Sequence, residues 1–155
     1  MKKTMVALGV VGLMCTVAWA LDAPANFTAT VANTDVQFDW DDVVGAVKYS
    51  VDVDAMVTYT IGGMDYEADV ELSYGTSDRT DGGDMADSDL TVAQSTIIDD
   101  VLAELMAQGV EVGLITDMMI DACGKVKALN PGKGAGPQNN PFSAPDDFEL
   151  MWTAP

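Results

Sequence analysis

Most of the chain is written in runs where apolar and polar residues alternate. Phe27–Ala32 (FTATVA) and Val36–Trp40 (VQFDW) are two short runs, and Asn33-Thr34-Asp35 between them is turn chemistry. After a loop over Asp41–Gly45 the pattern resumes near Ala46 or Val47. Tyr49, Val51, Val53, Ala55, Val57, Tyr59 and Ile61 then keep one unbroken parity. Gly62-Gly63 interrupts the run. Tyr66, Ala68, Val70, Leu72 and Tyr74 carry a second series, with Glu67, Asp69, Glu71 and Ser73 between them. Period-2 alternation puts one face of a strand in a core and the other in water. The two series therefore predict a long antiparallel hairpin. A two-residue Gly62-Gly63 turn suits it because both positions tolerate φ > 0. A four-residue loop, Gly62–Asp65, keeps the same parity. The two-residue register sets Tyr59 opposite Tyr66, Val57 opposite Ala68, Ala55 opposite Val70 and Val53 opposite Leu72. On the polar face it sets Asp54 opposite Glu71 and Met56 opposite Asp69. A one-residue slip would set apolar side chains against carboxylates, so the register is well specified. A strand over Val47–Ile61 would run ~50 Å at ~3.3 Å per residue, which calls for a bend, a bulge or projection from the body.

One stretch has helical rather than alternating period. Ile97, Ile98, Val101, Leu102, Leu105 and Met106 predict a helix over 96–108. Thr91 with Gln94, or Ser95, offers an N-cap, Asp99 and Asp100 suit the positive end of the dipole, and Gly109 is the stop. Gly75–Asp89 reads as a loop, Leu90–Val92 as a short strand and Val110–Ile115 as a strand. Met118–Leu129 is mixed, with Lys125–Leu129 extended. Asn130–Asn140 (NPGKGAGPQNN) reads as a loop, and Pro141–Ser143 and Phe148–Trp152 as late short strands.

The first twenty residues stand apart from this pattern. Lys2 and Lys3, the apolar Val6–Val17 and the small-x-small Ala18-Trp19-Ala20 form a secretory signal peptide, too short for a comfortable membrane span. The expected address is secreted or periplasmic. The mature chain, Leu21–Pro155, fits one domain with no membrane span after cleavage. It keeps one thiol, Cys123, so it has no intramolecular disulfide, and burial suits that thiol better than catalysis. All 25 acidic residues follow residue 20, and five of the seven Lys and Arg oppose them, a net charge of −20. Such a field repels nucleic acid and anionic membrane and attracts cations.

Pro24–Val31, Val36–Trp40 closing on its Trp, and Gly45–Val51 (GAVKYSV) together resemble the first half of a fibronectin type III domain. Lys125–Asn130 (KVKALN), a Gly/Pro-rich loop and Asn140–Ser143 resemble its final hairpin. The resemblance covers roughly 23–53 and 125–145. It implies an all-β, minor-α chain: an antiparallel immunoglobulin/fibronectin-III-like sandwich of seven strands, occupying 21–155, with a binding or spacer role and no catalytic residues. Two features depart from the family. Ala122 and Gly124 stand where it places a Tyr and a bulky apolar residue, which removes the corner hydrogen bond of that Tyr. The middle, 54–122, is an insertion carrying the long hairpin and the helix. Pro131–Asn139 contains no Arg-Gly-Asp.

Enzyme chemistry has little to stand on. The chain has no His, the commonest general base and metal ligand. It has no Gly-x-Ser-x-Gly elbow and no phosphate-cradling Gly loop. Adjacent carboxylates such as Asp41/Asp42 and Asp99/Asp100 suit loops and caps rather than a glycosidase pair. The one metal-like constellation is Asp78, Asp81, Asp84, Asp87 and Asp89 around Gly82-Gly83, a flexible oxygen-rich loop of the kind Ca²⁺ takes, in neither EF-hand nor repeat spacing. The expected function is an exported, non-enzymatic module that binds an unknown protein or surface ligand. The alternatives are a Ca²⁺-dependent adhesion or assembly subunit and an accessory domain of a secreted hydrolase.

Overall fold

The computed structural model describes residues 21–76, 88–130, 134–138 and 147–155. Strand β1 (Thr28–Ala32) turns through Asn33-Thr34 into β2 (Asp35–Asp39), with Asn33 at φ 53°. β3 (Lys48–Ile61) and β4 (Met64–Gly75) form the long hairpin. β5 (Asp89–Ala93) runs directly into helix α1 (Gln94–Ala107). A 3₁₀ turn at Val112–Leu114 leads to β6 (Ile115–Asn130), followed by β7 (Gly134–Gln138) and β8 (Asp147–Thr153).

These strands make two antiparallel sheets, an all-β arrangement with one helix. The small sheet has the order β1-β2-β5, and the large one β4-β3-β6-β7 with β8 also on β6. β3 occupies one edge of β6 along its whole length. β8 (opposite 117–123) and β7 (opposite 127–130) therefore lie end to end along the other edge. The hairpin has the parity the pattern predicts and takes the two-residue turn rather than the four-residue loop that parity alone left open. Tyr59, Val57, Ala55 and Val53 face Tyr66, Ala68, Val70 and Leu72, and Ile61 pairs with Met64 across a two-residue turn. Gly62 (φ 61°) and Gly63 (φ 79°) both take the left-handed conformation such a turn needs.

The core fills the space between the sheets. Val51, Val53 and Val57 of β3 and Ile120 and Val126 of β6 are fully buried, as are Val36 and Phe38 of β2. Aromatic rings bridge the layers. Phe38 meets Phe148 edge-on at 5.7 Å, and Trp40 meets Tyr49 at 5.1 Å. Phe27 stacks beside Phe38 at 6.0 Å and Trp40 at 6.3 Å. The small sheet, with strands of five residues, is too short to cover β3 and β4. Helix α1 covers the remainder, with Ile97, Val101 and Leu105 fully buried in the same core. Tyr74 Oη donates to Asp100 Oδ2 at 2.9 Å and Gln108 Nε2 to the Asp69 carbonyl at 2.9 Å, which ties the helix to β4. At the far end of β3 the register with β6 shifts between Thr60 and Ile61, which leaves Thr116 of β6 as the extra residue in the ladder.

Several expectations are corrected. Val110–Ile115 is not a strand. Gly109 (φ 93°) ends the helix, the 3₁₀ turn follows, and β6 begins only at Ile115. Alternation cannot tell a tight turn from a strand over so few residues. Met118–Leu129 is one continuous strand within β6. Neither Thr91 nor Ser95 caps α1; Ala93 stands at the N-cap with no side-chain bond, and Asp99 and Asp100 lie beyond the first turn. The helix starts directly off a strand, so its entry is set by the sheet. The Asn130–Asn140 loop contains β7, which makes the hairpin with 127–130. Pro141–Ser143 and residues 1–20, where a signal peptide is expected, lie outside the described residues.

Candidate functional site

The strict alternation of the large sheet separates two faces. The inward one is covered by α1 and the small sheet. The outward one carries nearly all the charge of β3, β4, β6 and β8, and cross-strand register arranges it in rows. One row runs Glu71, Asp54, Cys123, Asp147. The next runs Asp69, Met56, Asp121, Glu149, and the next Glu67, Thr58, Met119, Met151. Nearest the hairpin turn lie Asp65, Thr60, Asp117 and Thr153. Rows are about 7 Å apart along the strands and neighbours about 4.8 Å apart across them.

Cations gather at the opposite end. Lys125 Nζ bonds Asp54 Oδ2, and Lys127 Nζ lies 3.3 Å from Asp52 Oδ2. Ser73 Oγ also donates to Asp52 Oδ1 at 2.9 Å. The Asp54 hydrogen bond holds the Lys125 ammonium above its usual range. Asp54 thus faces Glu71 across the hairpin, as the register requires, but takes its counter-ion from β6. Two adjoining hollows mark this face. One, of about 490 Å³, is lined by Asp52, Asp54, Glu71, Leu72, Ser73 and Lys125. The other, of about 460 Å³, includes Met56, Asp69, Asp121, Cys123 and Asp147. A third, of about 220 Å³, lies beside Met119 and Met151.

Cys123 sits half-buried within this face. Burial pushes its thiol up, Asp147 and Asp54 push the same way, and Lys125 opposes them. The group is held as a thiol, the less nucleophilic form.

Of the residues expected to hold a cation, Asp78, Asp81, Asp84 and Asp87 lie outside the described residues. Asp89 opens β5 opposite Asp39 of β2. Among the described residues no group of His, Cys, Asp and Glu forms a metal-binding cluster. No described helix is long and apolar enough to cross a membrane.

The acidic face was only partly visible in the sequence. The alternation on β3 and β4 exposes Asp54, Glu71, Met56 and Asp69. The contributions of β6 and β8 depend on pairings between segments some seventy residues apart for β3–β6 and some thirty for β6–β8, for which alternation gives no register. Comparison with protein-family models, with curated proteins and with solved structures finds no match to this chain.

Proposed function

We propose that this is an exported, non-enzymatic binding module of fibronectin-III-like build, and that it recognises a partner through the outward face of its large sheet. The observation that carries the reading is that face. It is a broad surface built on four strands whose opposite side carries the core, and its exposed side chains combine carboxylates with methionines. Folding alone explains the inward residues. It gives no reason for Met56 (46% exposed), Met119 (36%) or Met151 (78%) to stand among acids.

The build is supported by the strand plan. With β7 and β8 taken as one interrupted strand, the two sheets hold three and four strands, the seven of the resembled family. Trp40, which closes the second resembled stretch, meets Tyr49 of the third edge-on at 5.1 Å. Gly124, one of the departures from the family, lies under Phe27, whose ring fills the space. The absence of His from the sequence removes the commonest acid–base and nucleophile-activating group.

The reading is tested in two steps. Mass spectrometry of the exported protein should give a mature N-terminus at Leu21. A photo-crosslinking residue placed at Thr58, on the outward face, should trap one discrete partner in the exported fraction, while one at Glu104, on the helix surface, should not. Absence of any adduct from sites on every face would overturn the module.

A further inference from the structure

We propose that the outward face of the large sheet is a docking site for a basic amphipathic helix of a partner protein. The inference rests on the binding-module reading and adds the partner's chemistry.

The face carries apolar, adaptable side chains among its acids. Met56 on β3, Met119 on β6 and Met151 on β8 are all exposed, and Met119 and Met151 are direct cross-strand neighbours. Methionine side chains are unbranched and polarizable, and they re-form around different apolar partners. From β3 to β8 is two strand spacings, ~10 Å. Met56 also lies one row, ~7 Å, from the Met119–Met151 pair, so the diagonal from Met56 to Met151 is ~12 Å. A helix laid obliquely across the strands spans that in about two turns, and apolar residues along one stripe can reach all three methionines.

The surround is acidic. Asp69, Asp121 and Glu149 share the row of Met56, and Asp65 and Asp117 lie beyond the Met119–Met151 row. Asp121 and Glu149 are direct cross-strand neighbours ~5 Å apart, inside the Debye length of ~8 Å, and the others lie about one Debye length from the next carboxylate. Asp121 stands between Met56 and the Met119–Met151 pair, so apolar and acidic groups are interleaved in one patch. The charge decides the occupant. A second copy of this chain would bring the same carboxylates against themselves, and nucleic acid or anionic membrane is repelled. A helix with Lys or Arg beside its apolar stripe neutralises the carboxylates while burying the methionines.

The test uses the exported protein and a synthetic Leu/Lys peptide of about 14 residues with its leucines on one helical face. A peptide of the same composition in scrambled order and a Leu/Glu peptide serve as comparisons. Calorimetry should show binding of the amphipathic peptide, and methyl-labelled methionine spectra should show shifts at Met56, Met119 and Met151. The triple variant M56S/M119S/M151S should weaken binding roughly tenfold or more. The variant D121K/E149K should weaken it further, while D99K/E104K, the same charge change on the helix surface, should leave it within about twofold. Equal loss in the helix variant, equal binding of the scrambled peptide, or methionine signals that do not move would each overturn the proposal. A partner trapped through another surface while these signals stay still would remove the docking site and leave the module intact.

Discussion

Gly124 lies in β6 beneath the aromatic layer of the small sheet. A Cβ at this position would stand 2.8 Å from Phe27 Cζ and 2.9 Å from Cε1. The Gly124→Ala change forces the ring or the backbone to move and should cost about 1–3 kcal/mol in urea unfolding. An unchanged midpoint would mean that the sheets are free to separate locally. Tyr74 gives a pH signature. Burial pushes its phenol well above 10.0, and the hydrogen bond to Asp100 and that carboxylate's charge push the same way. A phenol raised in the folded state binds its proton more tightly there than in the unfolded chain. Its contribution is complete below pH 10 and is lost as pH rises further. Tyr74→Phe should therefore lower stability at neutral pH and flatten the alkaline decline, measured as unfolding free energy against pH. Tyr49, also raised by burial, leaves a residual slope. Its Oη accepts from the Val43 amide at 2.8 Å and pins the loop between β2 and β3. Asn130 Nδ2 pins the same loop through the Gly45 carbonyl at 2.7 Å.

At the scale of elements, the hairpin and the helix depend on each other. Positive φ at Gly62 is tolerated by Asn but strains a β-branched residue. Gly62→Val should destabilise by about 1–2 kcal/mol and Gly62→Asn by much less, read from thermal melts of the two variants side by side. Helix α1 is held by its buried stripe rather than by caps. Leu105→Ala removes a fully buried side chain facing the hairpin and should cost about 2–5 kcal/mol. It should also increase hydrogen exchange along β4 more than along β2, because β4 is the strand the helix covers. Uniform exchange would show that the helix is not an independent cover. The strand alternation, the hairpin parity and the helix stripe were all legible because each is a local periodicity; the choice between a two-residue and a four-residue turn was not, because both keep that parity. The single run of β6 was not, since Met118-Met119 and Cys123-Gly124 blur its parity until β3 is laid beside it.

For the whole molecule the dominant quantity is charge. The chain after residue 20 carries −20, and on the outward face three lysines stand at one end against carboxylates spread over the rest. Self-repulsion destabilises the compact state and is relieved by salt. Raising NaCl from about 10 to about 150 mM should raise the melting temperature, because it shortens the Debye length from ~30 to ~8 Å. A melting temperature independent of salt would show that the carboxylates are already compensated. Calcium at matched ionic strength separates a specific ion from this general screening. A further rise that mutation of Asp81 and Asp84 abolishes would assign a Ca²⁺ ion to that segment.

The sequence by itself determined what is local. It set which residues alternate, where Gly62-Gly63 turns the chain, which stripe of the helix is apolar, and the sign of the charge. These follow from backbone periodicity and side-chain chemistry within a few residues. Tertiary structure alone decided what depends on distant pairing. It placed α1 over the uncovered end of the hairpin, set β7 and β8 end to end along β6, and brought Phe27 over Gly124. It also assembled Met56, Met119 and Met151 with the carboxylates of four strands into one face. No periodicity encodes the register between segments so far apart; it emerges only when the two apolar faces are buried against each other.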